Sequence, residues 1–431
     1  MDVRFNYGKD EITLQLPDES IVYASCFEPA ESDARELMML SITNPIGCQP
    51  LSEIVKQRRK GKIVIVISDI TRPIPYHSFM PDLLEYLHNQ GIKKDEVLLL
   101  IATGMHRVST LQEKIYMLGK NIVDNYQIID HQAENNNEIV NLQEKSWSGN
   151  AIKLNRHYVE AGFRILTGLV ETHFMAGFSG GRKAVLPGLA SLDTIQRFHG
   201  YGFLNDPNAS NAILEDNPCH LESVSVAQAC PADFSINIVL DQKKKINRFF
   251  SGEPFKSYDE AVNYVRGKTC KTVDKPADAA ITSCGGYPLD ATFYQCVKGL
   301  VNCLPALKAN GTIIAFGGCS EGIGSAEYEQ LMKKYSSRPD DFLNDIKAGR
   351  FFIKDQWQYQ MHIRVLKKTG VNNLHFYTDN ISPSDLSLLS VNAHAIPESL
   401  LVKSIQKQID SLVASGKTIA VFPEGPYCSS I

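Results

Sequence analysis

No run of apolar residues in this chain approaches the roughly 20 that a membrane helix requires, so a membrane-spanning role is not expected. The first residues, Met1-Asp2-Val3-Arg4-Phe5, carry no apolar core of signal-peptide length. The ten cysteines are scattered without one Cys-x-x-Cys pair, which gives neither a thiolate zinc site nor a disulfide framework. A reducing cytoplasm is the expected compartment. Lys and Arg form no dense run apart from Lys243-Lys244-Lys245, and the net charge is -4. A nucleic-acid surface is therefore not expected, and the triplet reads as a solvated turn after a strand. Internal repeats and low-complexity segments are also lacking. What remains is an ordinary globular composition, 43% hydrophobic and 21% charged, over 431 residues. That length is too great for one core and implies two domains.

Short apolar runs alternate with helical segments, the pattern of an α/β chain with mostly parallel sheets. Residues 62–67 (KIVIVI) are β-branched nearly throughout and read as a strand buried on both faces. Residues 97–102 and 163–167 read as the next two strands. After residues 97–102, Thr110 with Glu113 spells a helix-opening capping box. A second unit is expected to begin at the polar break Asp274-Lys275-Pro276, with strands at 279–282 and 311–316 and a helix carrying Tyr294, Gln295 and Lys298. A long amphipathic helix at 397–415 and a strand at 418–422 close the chain. The expected division is an N-terminal domain of residues 1–270, with 398–431 returning to it, and a C-terminal domain of residues 271–397. Each would be a mostly parallel sheet flanked by helices, with the active site in the cleft between them.

Chemistry concentrates just after predicted strand ends, where ligands sit in open α/β sheets. Asp69 and Arg72 follow the first strand, His106 the second and His173 the third. The third strand leads into Gly177-Phe178-Ser179-Gly180-Gly181-Arg182-Lys183, a glycine-dense loop suited to backbone approach to an anion. It is not a nucleotide-hydrolase phosphate loop, because Arg182 replaces the second glycine and Ala184 the magnesium-holding Ser/Thr. A lysine there becomes a nucleophile if desolvated or crowded by cations, and histidines can bind metal or move protons. Each residue also has a structural reading. Asp69 and Arg72 could form an ion pair, His199 could cap a helix C-terminus, and Tyr294 and Trp357 could be core aromatics. His88 and His157 read as surface residues, and His131 follows a strand at 126–130.

Five separated pieces stand out together: Ser68-Asp69-Ile70-Thr71-Arg72-Pro73-Ile74-Pro75, Ala102-Thr103-Gly104-Met105-His106, Glu171-Thr172-His173 with the glycine loop to Lys183, Phe198-His199, and Tyr294-Gln295-Cys296-Val297-Lys298. In this order they resemble the nickel-dependent lactate racemases and their 2-hydroxy acid racemase and epimerase relatives. The resemblance implies a nickel-pincer nucleotide, a pyridinium mononucleotide whose thioamide and thiocarboxylate arms and ring carbon hold nickel. It implies that Lys183 forms the thioamide tether, that His199 is the protein's nickel ligand, and that His106 and His173 are the acid/base pair. Asp69, Ile70, Thr71 and Arg72 would line the cofactor. Gln295 and Lys298 would reach in from the second domain, and Arg72, Tyr294 and Lys298 would contact substrate. Cofactor maturation proteins are the implied partners.

The chemistry suits these residue types. Removing hydride from a secondary alcohol gives a planar 2-keto acid that can be re-reduced from either side, and the cofactor carries that step. A base must take the hydroxyl proton as hydride leaves, and a cation must fix the carboxylate. Lactate is the default substrate, because Arg72 and Lys298 suffice for one carboxylate. Phe174, Met175 and Tyr294 would then form an apolar wall. A larger 2-hydroxy acid of the malate, phenyllactate or gluconate type is the alternative, since an apolar wall discriminates weakly, and a dicarboxylate such as malate would need Arg107 or Arg182 turned inward. From other classes, a pyridoxal Schiff-base enzyme would use the same loop and lysine but leaves the paired histidines unexplained. A non-catalytic nickel or cofactor carrier would need Lys183 and His199 alone.

Overall fold

The computed structural model describes residues 1–431. Two six-stranded sheets organise it. The first runs in the order Ile246–Gly252, Phe234–Leu240, Phe163–Leu169, Ile63–Ser68, Val97–Ala102, Gln127–Asp130, and only its edge strand Ile246–Gly252 is antiparallel. The expected strands are present, and the reason lies in their alternation. Val64, Val66, Leu98 and Leu100 enter one apolar core, while Ile63, Ile65, Ile67, Val97, Leu99 and Ile101 enter the core on the opposite face. A strand buried on both sides has no polar face to show. From Ile63–Ser68 the chain steps outward to Val97–Ala102, whereas Phe163–Leu169 lies on its other side. The order therefore reverses between two central neighbours, and the crevice at their carboxyl ends is where such sheets bind ligands. Thr110 and Glu113 form the expected capping box, and Lys243-Lys244-Lys245 occupies the turn of the hairpin between Phe234–Leu240 and Ile246–Gly252.

The second sheet is wholly parallel, in the order Asn392–Ala395, Leu374–Thr378, Leu307–Phe316, Ala277–Ser283, Ile419–Phe422, Ile21–Val22. This corrects the expected domain division at both ends. Residues 398–431 do not return to the first domain: Ile419–Phe422 pairs with Ala277–Ser283. The helix Glu398–Ala414 buries Leu401, Ile405 and Ile409 in a core shared with Ile281, Ile314 and Val421 of this sheet. A four-residue spacing makes one helical stripe, and the matching apolar face belongs to the second sheet. Each such side chain contributes about 1.5–3 kcal/mol on full burial. The first 22 residues join the same domain. The hairpin Asp2–Tyr7/Asp10–Gln15 adds Phe5 and Leu14 to that core, and Ile21–Val22 pairs with Ile419–Phe422. Tyr23 seals the edge, its ring stacked 4.8 Å from Phe422. Only the last residues touch the first domain's side, where Ser429–Ser430 pairs with Cys270–Lys271 and the Pro426 carbonyl accepts from the Thr172 hydroxyl.

Candidate active site

A cleft of about 160 Å³ opens at the reversal point of the first sheet and is closed over by the second domain. Its walls hold Asp69, Thr71, Arg72, His106, His173, Lys183, His199, Tyr294, Gln295 and Lys298, so ten sequence candidates converge. Ile70 is the exception. Its side chain packs against the core beneath the first sheet and does not line the cleft, because it points inward from a turn whose polar residues point out.

Two strand ends build the first half. After Ile63–Ser68 the chain turns tightly. One Asp69 carboxylate oxygen accepts from the Thr71 amide at 3.1 Å and the Thr71 hydroxyl at 2.5 Å, and its other oxygen lies 2.6 Å from His106 Nδ1. The structural alternative of an Asp69–Arg72 ion pair is not what forms, because the Asp69 carboxylate is hydrogen-bonded to Thr71 and His106. Burial pushes the Asp69 carboxyl upward, but the His106 hydrogen bond and charge, with Thr71 and Arg72, outweigh it and leave the group below its usual value. His106 donates from Nδ1, presents Nε2 to the cleft and keeps its side chain 51% exposed.

The glycine loop builds the rest. Thr172–His173 pairs with Gly177–Phe178 in a tight hairpin that turns His173 inward. Gly180 sits at φ +76°, where an added Cβ would lie 2.7 Å from Val170, so no other residue fits easily there. The turn Gly181–Ala184 then delivers Lys183 to the cleft, and no group accepts a hydrogen bond from its amine. Desolvation first, then Arg72, Arg182 and Lys298, hold that amine well below the ordinary lysine range. His199 ends the helix Leu192–Phe198. Its Nδ1 donates to the Ile195 carbonyl at 3.0 Å, which leaves an Nε2 lone pair for the cleft. Burial pushes His199 down to about 3, so the ring is neutral. The C-cap reading and the ligand reading of His199 use different nitrogens and are compatible.

The helix Phe293–Asn302 brings in Tyr294, Gln295 and Lys298. Burial, then Arg72, pushes Lys298 down to about 7. Gln295 Oε1 is buried without a hydrogen-bond partner. Arg182 is spent elsewhere, bonded to the Phe178 and Ala176 carbonyls and to the Tyr258 hydroxyl, and Arg107 pairs with Glu113. Neither turns inward. His131 is structural, bonded to the Ala190 carbonyl and Asn155, while His88 binds Tyr126 and His157 faces Glu138.

Three cleft residues escaped the sequence reading. Trp357 is not a plain core aromatic: it lines the cleft, stacks on His199 at 4.5 Å and donates to the Tyr294 hydroxyl at 3.0 Å. Asp355 begins the same helix, Gln356–Thr369, in a left-handed conformation at φ +68° and accepts from Ser325 at 2.6 Å. Burial, then Asp355, holds the Tyr294 phenol protonated, well above its ordinary value. Lys354 is a fourth cation beside Arg72, Lys183 and Lys298, against two carboxylates, Asp69 and Asp355. The only local signal was an acidic residue before a helix, which reads as a cap.

The pattern of the lactate racemase N-terminal domain matches residues 7–212, and that of the lactate racemase C-terminal domain matches residues 272–425. The chain is 36% identical over 373 residues to a lactate racemase of Thermoanaerobacterium thermosaccharolyticum, covering 85% of this chain and 86% of that one. It belongs to the lactate racemase family. A lactate racemase of Lactiplantibacillus plantarum is 34% identical over 428 residues, 97% of each chain. The lactate racemase apoprotein of T. thermosaccharolyticum superposes with a TM-score of 0.90 at 32% identity over the whole of both chains. A Thermotoga maritima protein shares the fold alone, with a TM-score of 0.68 at 18% identity over 92% of this chain and 99% of that one. As a lactate racemase family member the chain is an isomerase of the racemase type. The family's C-terminal domain spans Ile419–Phe422, in keeping with that strand's place in the second sheet. No helix of this family member is long and apolar enough to cross a membrane.

Proposed function

We propose that this protein racemises a short 2-hydroxy acid, with lactate as its substrate, by hydride transfer to a nickel-pincer nucleotide tethered at Lys183. The observation that carries this reading is the convergence, in one cation-lined cleft, of an unpartnered lysine amine, an imidazole Nε2 free for a metal and two further histidines. The donor set fits the group. No three His, Cys, Asp or Glu side chains converge as a metal site, so a metal bound through His199 needs donors from an organic ligand. The orphaned Gln295 Oε1 supports a polar ligand at the same place. Lys183 would hold the group covalently and His199 would ligate its nickel, and Trp357 stacked on His199 keeps that ring in orientation. When bound, the group supplies a hydride acceptor and donor.

The chain's own residues do the remainder. Arg72 and Lys298 hold the carboxylate, and a cation pair in a water-poor cleft is a strong anchor for it. His106, buttressed by Asp69, takes the hydroxyl proton at Nε2 as the C2–H bond breaks, and His173 faces the oxygen once the planar keto acid has turned. Phe174 and Met175 wall the reacting carbon. Maturation proteins that deliver the cofactor are the proposed partners. A reducing cytoplasm is the proposed compartment, supported by ten free cysteines. The test is co-expression with the maturation proteins, followed by intact mass, elemental analysis and racemisation assays. About one nickel per chain, a covalent increment and racemisation of lactate are expected, and pyridoxal absorbance or an unmodified active chain would refute the reading. A larger anionic 2-hydroxy acid is the second reading, favoured by Lys354, a cation that one carboxylate does not require.

A further inference from the structure

The two histidines are wired differently. At His106 the partner of Nδ1 is an acceptor, the Asp69 carboxylate at 2.6 Å. At His173 the partners of Nδ1 are donors, the backbone amides of Met175 and Ala176, each at 3.3 Å. We infer that the pair is preset in opposite tautomers, His106 with its proton on Nδ1 and an accepting Nε2, His173 with an accepting Nδ1 and its proton on Nε2, so that His106 is the proton acceptor of the cleft and His173 its proton donor. This deepens the racemase reading and rests on it for the catalytic consequence. The tautomers themselves are properties of the chain without cofactor.

The geometry at His173 is fixed by its hairpin. Met175 and Ala176 lie in the turn between Thr172–His173 and Gly177–Phe178. That turn is pinned at Gly177, where φ is +73° and a Cβ would lie 2.2 Å from the Ile213 carbonyl oxygen. Two amide N–H groups aimed at one ring nitrogen require a lone pair there. The other tautomer would set N–H against N–H, and an imidazolium, protonated on both nitrogens, would do the same. Burial, then Lys183, Lys298 and Arg72, disfavour the imidazolium further. At His106 the reverse holds, because protonation at Nε2 produces a cation against a carboxylate.

The proton balance follows. His106 Nε2 gains the hydroxyl proton while the C2–H pair departs as hydride and the O–H pair becomes the carbonyl π bond. When hydride returns, that π pair goes back to oxygen. The oxygen takes the proton from His173 Nε2, whose N–H pair stays on the ring. A neutral imidazole donating to a developing alkoxide is known acid chemistry. The proton held by His106 then returns to His173 through water at the cleft mouth, where His106 is half exposed. The opposite antipode begins with that proton already moved to His106.

Histidine-selective ¹⁵N labelling of the apo protein reads both rings through long-range ¹H–¹⁵N correlations, assigned with His106→Gln and His173→Gln. Near neutral pH a protonated Nδ1 in His106 and a protonated Nε2 alone in His173 are expected. A proton on His173 Nδ1, alone or with Nε2, overturns the inference. In the nickel-loaded enzyme His173→Gln, which keeps an N–H donor near the place of Nε2, should retain about tenfold more activity than His173→Ala, and equal losses overturn the donor role. Wild-type protein that carries the two tautomers but racemises no 2-hydroxy acid would fail the racemase reading while upholding the tautomers.

Discussion

Asp69→Asn is the sharpest perturbation of the cleft, because it changes one atom's hydrogen-bonding character without changing shape. One Asp69 oxygen must accept from the Thr71 amide at 3.1 Å. An asparagine therefore keeps its carbonyl oxygen there and turns its NH2 toward His106 Nδ1. Two donors then face each other at the 2.6 Å contact, and the ring relieves this by moving its proton to Nε2. His106 thereby shows the cleft an N–H in place of a lone pair. Loss of a general base costs about 10²–10⁴-fold, or about 2.7–5.4 kcal/mol of barrier at 1.36 kcal/mol per tenfold. The corresponding tautomer trap in the serine-protease triad sits at the upper end of that range. The assay is chiral chromatography of lactate in both directions, normalised to the covalent increment seen by mass spectrometry, which this variant should retain. Because the two antipodes are equal in free energy, kcat/KM must fall equally in both directions. Activity within about threefold of wild type would refute the argument.

Lys183→Ala should abolish the covalent mass increment while keeping the fold, and an increment that persists would place the tether elsewhere. His199→Ala should lose nickel in preference to the organic part on dialysis, read by elemental analysis, since the chain offers no cluster of donors to replace it. An unperturbed lysine stays charged far above neutrality. With its value pushed down to about 7, Lys298 loses its proton as pH rises through that point, so KM for a monocarboxylate should climb above about pH 7. The climb should vanish in Lys298→Arg, and its persistence there would assign the titration to another group. Lys354→Ala should leave lactate turnover within about twofold but weaken any dicarboxylate about tenfold, and equal effects on both would remove Lys354 from substrate selection.

The parts of the fold that could be read from sequence are those fixed locally. The apolar runs at 63–67 and 97–101 have no polar face to expose, and Thr110 with Glu113 spells its own cap. Candidate residues just past strand ends were legible for the same reason, since a strand's carboxyl end is set by the strand itself. The illegible parts are non-local. Nothing in Asp69 announces a partner 37 residues away, and the Arg72 cation three positions on offers a nearer one. Trp357 has the pattern of a buried helical aromatic, and only the packing of the second domain over the first puts His199 beneath it. The helix Glu398–Ala414 shows which of its faces is apolar but not which sheet will cover that face. Ile70 shared a polar turn with three cleft residues, and its inward direction depends on the backbone alone.

The placement of Ile21–Val22 beside Ile419–Phe422 has a consequence for biosynthesis. Ile21 is matched with Ala420, so the first strand of the second sheet leaves the ribosome almost 400 residues before its neighbour exists. The first domain, whose sheet strands lie within residues 63–252, has all its partners much earlier and can close while the N-terminal hairpin waits with its apolar face uncovered. Contacts this distant along the chain are slow to form, and uncovered strands meanwhile invite association with other chains. The strand Ile419–Phe422 pairs with both Ala277–Ser283 and Ile21–Val22, so premature termination near the end would leave those two strands with an unpaired edge. A chain ending at residue 415 should therefore aggregate rather than behave as a trimmed enzyme, although every residue lining the cleft would still be present.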